Sequence, residues 1–111
     1  AYLDDEINYS GVHGSSMEPT FSENDKLLWV EVAIEKVKQG DIVIYRDPTE
    51  FPDPDLIVHR VVDIENNEGD ISLETKGDNR ETSDANTSTS GYYVTENSLE
   101  GKVIGVIYSN D

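Results

Sequence analysis

An all-β fold, a small barrel or two packed antiparallel sheets carrying long polar loops, is the architecture this 111-residue chain predicts. Three observations carry that expectation. The apolar residues fall in short runs rich in β-branched and aromatic types, such as LLWVEVAI at 27–34 and LIVHRVVDIE at 56–65. Clusters of Gly, Pro, Asn and Asp punctuate those runs at close intervals. No stretch sustains the apolar period of a helix. Many short strands with turn residues between them, and no helices to cover a sheet, suit a small closed or doubly layered antiparallel fold.

Residues 1–11, AYLDDEINYSG, read as an irregular or edge segment. ENDK (23–26) makes a turn into a strand at 27–34, and KVKQGD (36–41) turns into DIVIYR (41–46), a second strand around a buried pair. DPTEFPDPD (47–55), with three prolines and four acids, is an exposed loop. LIVHRVVDIE is the longest strand, followed by the hairpin-like turn NNEGD (66–70) and the strand ISLETK (71–76). GDNRETSDANTSTSG (77–91) has almost no apolar residue and is loop, long enough to suggest a function. YYVT (92–95) and KVIGVIYS (102–109) are the last strands. Neither a repeat nor a linker interrupts the series, so 1–111 reads as one domain.

Charge and composition remove several function classes. With 24 acids against 8 bases the formal net charge is −16, and a nucleic-acid partner, which needs a basic footprint, is not expected. Such self-repulsion would be screened at high salt, which makes a salt-loving source one expectation. Cysteine is absent, and with it thiol nucleophiles, disulfides and thiolate metal sites. Neither a metal-binding spacing nor a glycine-rich phosphate loop is present, so no metal and no cofactor are expected. No apolar run is long enough to cross a bilayer.

The chemistry concentrates in three stretches. HGSSMEPTF (13–21) sets serines on a turn between Gly14 and Pro19, the setting of a surface turn or of a nucleophile held at a fixed angle. A nucleophilic serine needs a base, and the chain has two histidines, His13 and His59. His59 lies mid-strand. Strict alternation puts Ile57, His59, Val61 and Asp63 on one face, and Leu56, Val58, Arg60, Val62 and Ile64 on the other. Partial burial between Ile57 and Val61 would keep the imidazole neutral, as a base requires, although a core histidine bonded to a carbonyl has the same pattern. His13 is close to Ser16 in sequence, but a turn at Gly14 aims it elsewhere. Asp78 and Asp84 follow in KGDNRETSD, where an acid can fix an imidazole tautomer and balance its cation.

With those blocks in view, the chain resembles type I signal peptidases, membrane-anchored serine proteases that remove signal peptides. Ser16-Met17-Glu18-Pro19-Thr20-Phe21 looks like the nucleophile block, Gly40–Pro48 like the second core strand, and Ile57-Val58-His59-Arg60-Val61-Val62 like the base block. Thr75-Lys76-Gly77-Asp78-Asn79, ending at Asp84, looks like the acidic block, and Gly101-Lys102-Val103-Ile104-Gly105 like the closing strand. Histidine at the base position is similar to the archaeal and endoplasmic-reticulum form. The resemblance implies Ser16 as nucleophile, His59 as base, and Asp84 and Asp78 as supporting acids, with Ser83 bonding near the base. Many relatives have an oxyanion-binding serine two places before the nucleophile. Here Gly14 stands there, leaving the Ser16 N–H and Ser15 as donors.

The expectation that follows is a soluble catalytic domain whose membrane anchor lies outside this chain. It would act at the outer face of the cytoplasmic membrane or in the endoplasmic-reticulum lumen, with accessory subunits. Its substrate is the signal peptide of secretory preproteins, laid extended beside residues 12–17 or 55–59 and cut at Ala-x-Ala-like sites through an acyl-enzyme. Met17, Gly14, Ser15, Ile57 and Ser83 would contact it. Two rivals stand beside this reading. One is a LexA-type self-cleaving repressor domain, which shares a Ser-Met block but uses a lysine base. The other is an inactive binding domain of the same fold.

Overall fold

Strand β3 (Ile42–Arg46) organises the molecule, because it is apolar on both faces. In the computed structural model, which describes residues 6–86 and 91–109, it is flanked by β4 (Leu56–Asn67) and β6 (Leu99–Ile107). Ile42 and Ile44 point into one cluster with Val12, Met17, Phe21, Leu27, Val58 and Val103. Val43 and Tyr45 point into the other with Ile57, Val61, Leu73 and Val94. A strand covered on both sides has a continuous apolar run instead of alternation. β1 (Asn8–Gly11), β2 (Lys26–Val30) and β5 (Asp70–Lys76) complete one six-stranded antiparallel sheet in the order β1-β2-β6-β3-β4-β5. The all-β expectation is met. Of the predicted irregular or edge segment, 8–11 is the edge strand β1, and residues 1–5 lie outside the described set.

β4 is long because it serves two partners. Residues 56–60 pair with β3, and residues 60–67 pair with β5. The two-residue turn Glu68-Gly69 closes the β4–β5 hairpin, both residues at positive φ (55° and 96°), as a twist-matched tight hairpin requires. Strict alternation along β4 fails at Val62. A bulge there makes Val61 and Asp63 face consecutive residues of β5, Thr75 and Glu74. Ile64 is thereby carried to the cluster of Ile57 and Val61, not to the face expected from its spacing.

Three of the predicted strands change most. The strand expected at 27–34 ends at Val30, and the chain then makes a 3-10 turn at Ile34–Lys36 that drops Ile34 and Val37 into the core. YYVT (92–95) is not a strand. Val94 alone forms a bridge, to Leu73, and is fully buried by it. The last strand begins at Leu99 instead of 102, since Leu99 and Gly101 pair with Tyr45 and Ile44 of the central strand.

Candidate active site

Ser16 is held by its neighbours on both sides. After β1 the chain turns at Gly14 (φ 85°), whose N–H donates to Glu23 Oε1 at 2.9 Å. Met17 and Phe21, each 2% exposed, sink into the core and pin the turn from beneath. The turn that leaves β5 then grips the same segment. Asn79 N–H donates to the Ser16 carbonyl at 2.8 Å, Asn79 Nδ2 to the Ser15 carbonyl at 3.0 Å, and Asp78 N–H to Met17 Sδ at 3.3 Å. Gly77 makes this approach feasible: a Cβ there would lie 2.6 Å from the Ser16 carbonyl oxygen and 3.1 Å from His59 Nε2.

His59 meets Ser16 across that gap. β5 pairs with β4 only from Arg60 onward, so the end of β5 leaves room beside the imidazole. His59 Nε2 lies 3.2 Å from Ser16 Oγ, and its Nδ1 lies 2.7 Å from Asp84 Oδ2. Asp84 opens a 3-10 turn at Asp84–Asn86 and is buried. Its Oδ2 also accepts from Thr75 Oγ1 at 2.7 Å and from the Tyr45 hydroxyl at 3.1 Å. Burial pushes the Asp84 carboxyl upward, but hydrogen bonds from His59 and Thr75, the charge of His59 and the Tyr45 bond outweigh it. The net direction is down, so Asp84 is an anion at neutral pH. An anionic Oδ2 with these donors selects the imidazole tautomer that has its proton on Nδ1. Nε2 is then free to accept the Ser16 hydroxyl proton. The Ser16 N–H has no acceptor among the described residues and stays available to a developing oxyanion.

The other candidates fall in different places. Asp78 makes no hydrogen bond to His59. It receives Arg60 Nε and Nη2, both at 2.9 Å, in a two-pronged ion pair, and the Thr20 hydroxyl as well. The bond from Arg60 pulls its carboxyl down, against burial, with Thr20 and the charges of Arg60 and Lys76 assisting. Asp78 thus ties β4 to the turn that carries Ser16, through Arg60 and Thr20. Ser83 is buried and accepts from Asn86 Nδ2 at 3.1 Å, within its own loop, instead of bonding near His59. Met17 is core, not a groove wall. Gly14 and Ser15 are exposed, and His13 is exposed at the groove without a bond to Ser16. Within the polar loop 77–91, residues 87–90 lie outside the described set. The sequence reading passed over Tyr45, Thr75 and Tyr92 as site residues. The available signal was register: Tyr45 and Thr75 are hydroxyl-bearing positions on the buried face that also presents Val61 and Leu73.

The Asp78 clamp has a pH signature. A carboxyl held below its ordinary value stabilises the fold above the unfolded value near ~3.9 and loses that contribution as pH falls through the lowered value. Asp78→Asn is therefore expected to lower the melting temperature by roughly 3–6 °C at pH 7. The difference between wild type and variant should shrink as pH falls through the lowered value, which thermal unfolding across pH measures.

Ser16 and His59 open on a groove of about 800 Å³. Its lining includes Gly11, Val12 and His13, Leu56, Ile57 and Val58 of β4, and Leu27, Ile44 and Arg80. Val61 both donates to Asp41 and accepts from Gly40, each at 2.8 Å, on the β3 side. Alternation along an antiparallel strand then turns the N–H and C=O groups of Leu56 and Val58 away from β3. β5 does not reach those residues, so the edge is open to an extended peptide. Among the described residues, no group of three or more His, Cys, Asp or Glu side chains is placed to hold a metal ion, and no helix is long and apolar enough to cross a membrane.

No family model matches the chain. Among curated proteins it is similar to the signal peptidase complex catalytic subunit SEC11C of Homo sapiens and of Mus musculus. Each is 36% identical over 97 residues, covering 85% of this chain and 46% of the relative. It is also similar to the signal peptidase complex catalytic subunit sec11 of Neurospora crassa, 34% identical over 99 residues, covering 86% of this chain and 55% of the relative. The chain spans about half the length of the curated relatives it matches.

Proposed function

The chain is a member of the type I signal peptidase family, of the endoplasmic-reticulum-like kind, and we propose that it is the catalytic domain of a serine endopeptidase that removes signal peptides from exported preproteins. One observation carries the proposal: the unbroken line Ser16 Oγ–His59–Asp84, with links of 3.2 and 2.7 Å, ends in a groove bordered by an open strand edge. The preprotein lies extended in that groove and pairs with the backbone of Leu56 and Val58. Its small side chains enter shallow apolar pockets between Val12, Leu27 and Ile44.

His59 Nε2 takes the Ser16 hydroxyl proton as Oγ attacks the scissile carbonyl carbon. The Ser16 N–H meets the oxyanion. The imidazolium, balanced by Asp84, hands its proton to the leaving amine as the C–N bond breaks, which leaves an ester on Ser16. Water loses a proton to His59 and attacks the ester, and the returning proton restores the Ser16 hydroxyl. Accessory subunits belong to the same proposal, drawn from the relatives' designation as subunits of a complex.

The test uses the full-length protein in lipid with a peptide containing an Ala-x-Ala site. Ser16→Ala is expected to reduce kcat by roughly 10⁶-fold while the fold is retained. A serine-directed acylating probe should label Ser16. An unlabelled Ser16 with no peptide turnover would make the chain an inactive binding domain. Cleavage of the chain itself without peptide turnover would move it to the self-cleaving repressors.

A further inference from the structure

We infer that Tyr45 is a positioning residue of the peptidase site, acting on His59 through Asp84 and ordered from behind by Tyr92; this inference rests on the proposed peptidase reading. Tyr45 is fully buried and is not a wall of the groove, so it cannot touch substrate. Its hydroxyl nevertheless lies 3.1 Å from Asp84 Oδ2, 3.4 Å from His59 Nδ1, 3.3 Å from Thr75 Oγ1 and 2.9 Å from the Tyr92 hydroxyl. Its ring meets His59 and Tyr92 edge-on, with centroids 6.4 and 6.0 Å apart.

Proton counting fixes the direction of this network. Asp84, ionised, only accepts, so the single Tyr45 proton goes to Oδ2. The Tyr45 oxygen is then the acceptor for Tyr92. Oδ2 therefore takes three donors, from His59, Thr75 and Tyr45. Such a carboxylate oxygen has no freedom to turn, and the imidazole bonded to it is held with Nε2 toward Ser16. Burial drives the Tyr45 hydroxyl far above its usual range, and Tyr92 is pushed up to about 12 by burial and by the charges of Asp84 and Asp47, although its bond with Tyr45 acts the other way. Both stay protonated donors wherever the enzyme works. A ring without oxygen would fill the same space. A hydroxyl in a strand of sequence IVIYR, sealed among Val43, Val61 and Leu73, needs a partner to offset its lost hydration, and that partner is the carboxylate.

The sign of the effect on catalysis follows. Each donor to Oδ2 disperses its negative charge and weakens its hold on an imidazolium. Removing the Tyr45 hydroxyl leaves more charge for His59 and favours the imidazole's protonated form. The titratable groups facing this cluster among the described residues are His59 on β4, Asp84 in the 3-10 turn, Tyr92 before β6, and Asp47 after β3, which acts on Tyr92.

Tyr45→Phe in the full-length protein is expected to lower kcat about 3- to 10-fold with KM unchanged, the size of one ordinary hydrogen bond's net contribution, since the hydroxyl acts on His59 only through Asp84. The acid limb of the pH–rate profile, and the midpoint of the His59 ring titration followed by NMR, should both move up. Tyr92→Phe, which removes only the rear link, should give the same changes at smaller size. A folded Tyr45→Phe whose His59 midpoint is unmoved or lowered, or whose defect lies in KM, overturns the inference. Should that variant not fold, Tyr92→Phe decides it by the same midpoint. The NMR readout needs no turnover, so a peptide-inactive wild type sinks the peptidase reading alone.

Discussion

Asp84→Asn is expected to cost about 10²- to 10³-fold in kcat, less than the roughly 10⁴-fold that accompanies inversion of an imidazole tautomer. The difference comes from what surrounds the carboxylate. Thr75 and Tyr45 both donate to Oδ2, so an asparagine keeps its oxygen at that position and turns its NH₂ to the Oδ1 side. His59 Nδ1 still finds an acceptor, and Nε2 still faces Ser16 unprotonated. What disappears is the negative charge that balances the imidazolium formed during acylation. The acid limb of the pH–rate profile should accordingly move down, because without the anion the imidazole resists protonation to lower pH. This is the reverse of the direction expected for Tyr45→Phe, and the pair separates charge from placement. Combining Asp84→Asn with Thr75→Val removes one of the donors that hold the amide oxygen. The tautomer is then freed to invert, and the loss should deepen toward about 10⁴-fold. Steady-state kinetics from pH 5 to 9 on folded variants measures all of these. A single mutant already at the deeper level would mean that the Thr75 and Tyr45 donors do not orient the side chain.

The same residues show what the sequence made legible. Strands β3, β4 and β5 were readable because their apolar runs are bounded by turn chemistry at 36–41, 47–55 and 66–70, and local signals suffice there. The serine turn and the strand histidine stood out as chemistry carriers for the same reason. Long-range pairing decided the rest. The end of β2 at Val30 and the early start of β6 at Leu99 depend on which strand lies alongside, not on propensity. The bulge at Val62 leaves no mark in a V-V-D-I string, yet it reassigns Ile64 to the other face. Asp84 and Asp78, six places apart, both stand among the supporting acids the resemblance implies. Only the fold gives one to Arg60 and the other to His59. Tyr45 hid inside a run that read as core, since a buried hydroxyl has meaning only once its acceptor, 39 residues away, is in place.

Gly77→Ala is expected to lower kcat/KM about 100-fold or more while the sheet remains intact. The glycine is not there for its backbone freedom. It is there because the Ser16 carbonyl and the His59 ring converge on it, and a methyl group would stand 2.6 Å from the first and 3.1 Å from Nε2. A contact that short against backbone cannot be relieved by rotating a side chain. The nucleophile turn can retreat only by stretching the bond from Asn79 N–H to the Ser16 carbonyl, and the imidazole only by straining its bond to Asp84. Either movement opens the 3.2 Å gap between Oγ and Nε2 through which the proton must pass. The groove walls formed by Val12 and Val58 are not involved, so KM should change little and most of the loss should fall on kcat. Labelling of Ser16 by an acylating probe should slow by a similar factor, because the probe needs the same proton transfer. A variant that labels and cleaves at the wild-type rate would show that the serine and the imidazole reach each other without the space Gly77 leaves. Slow cleavage with rapid labelling would place the damage in substrate seating instead of in the serine–imidazole contact.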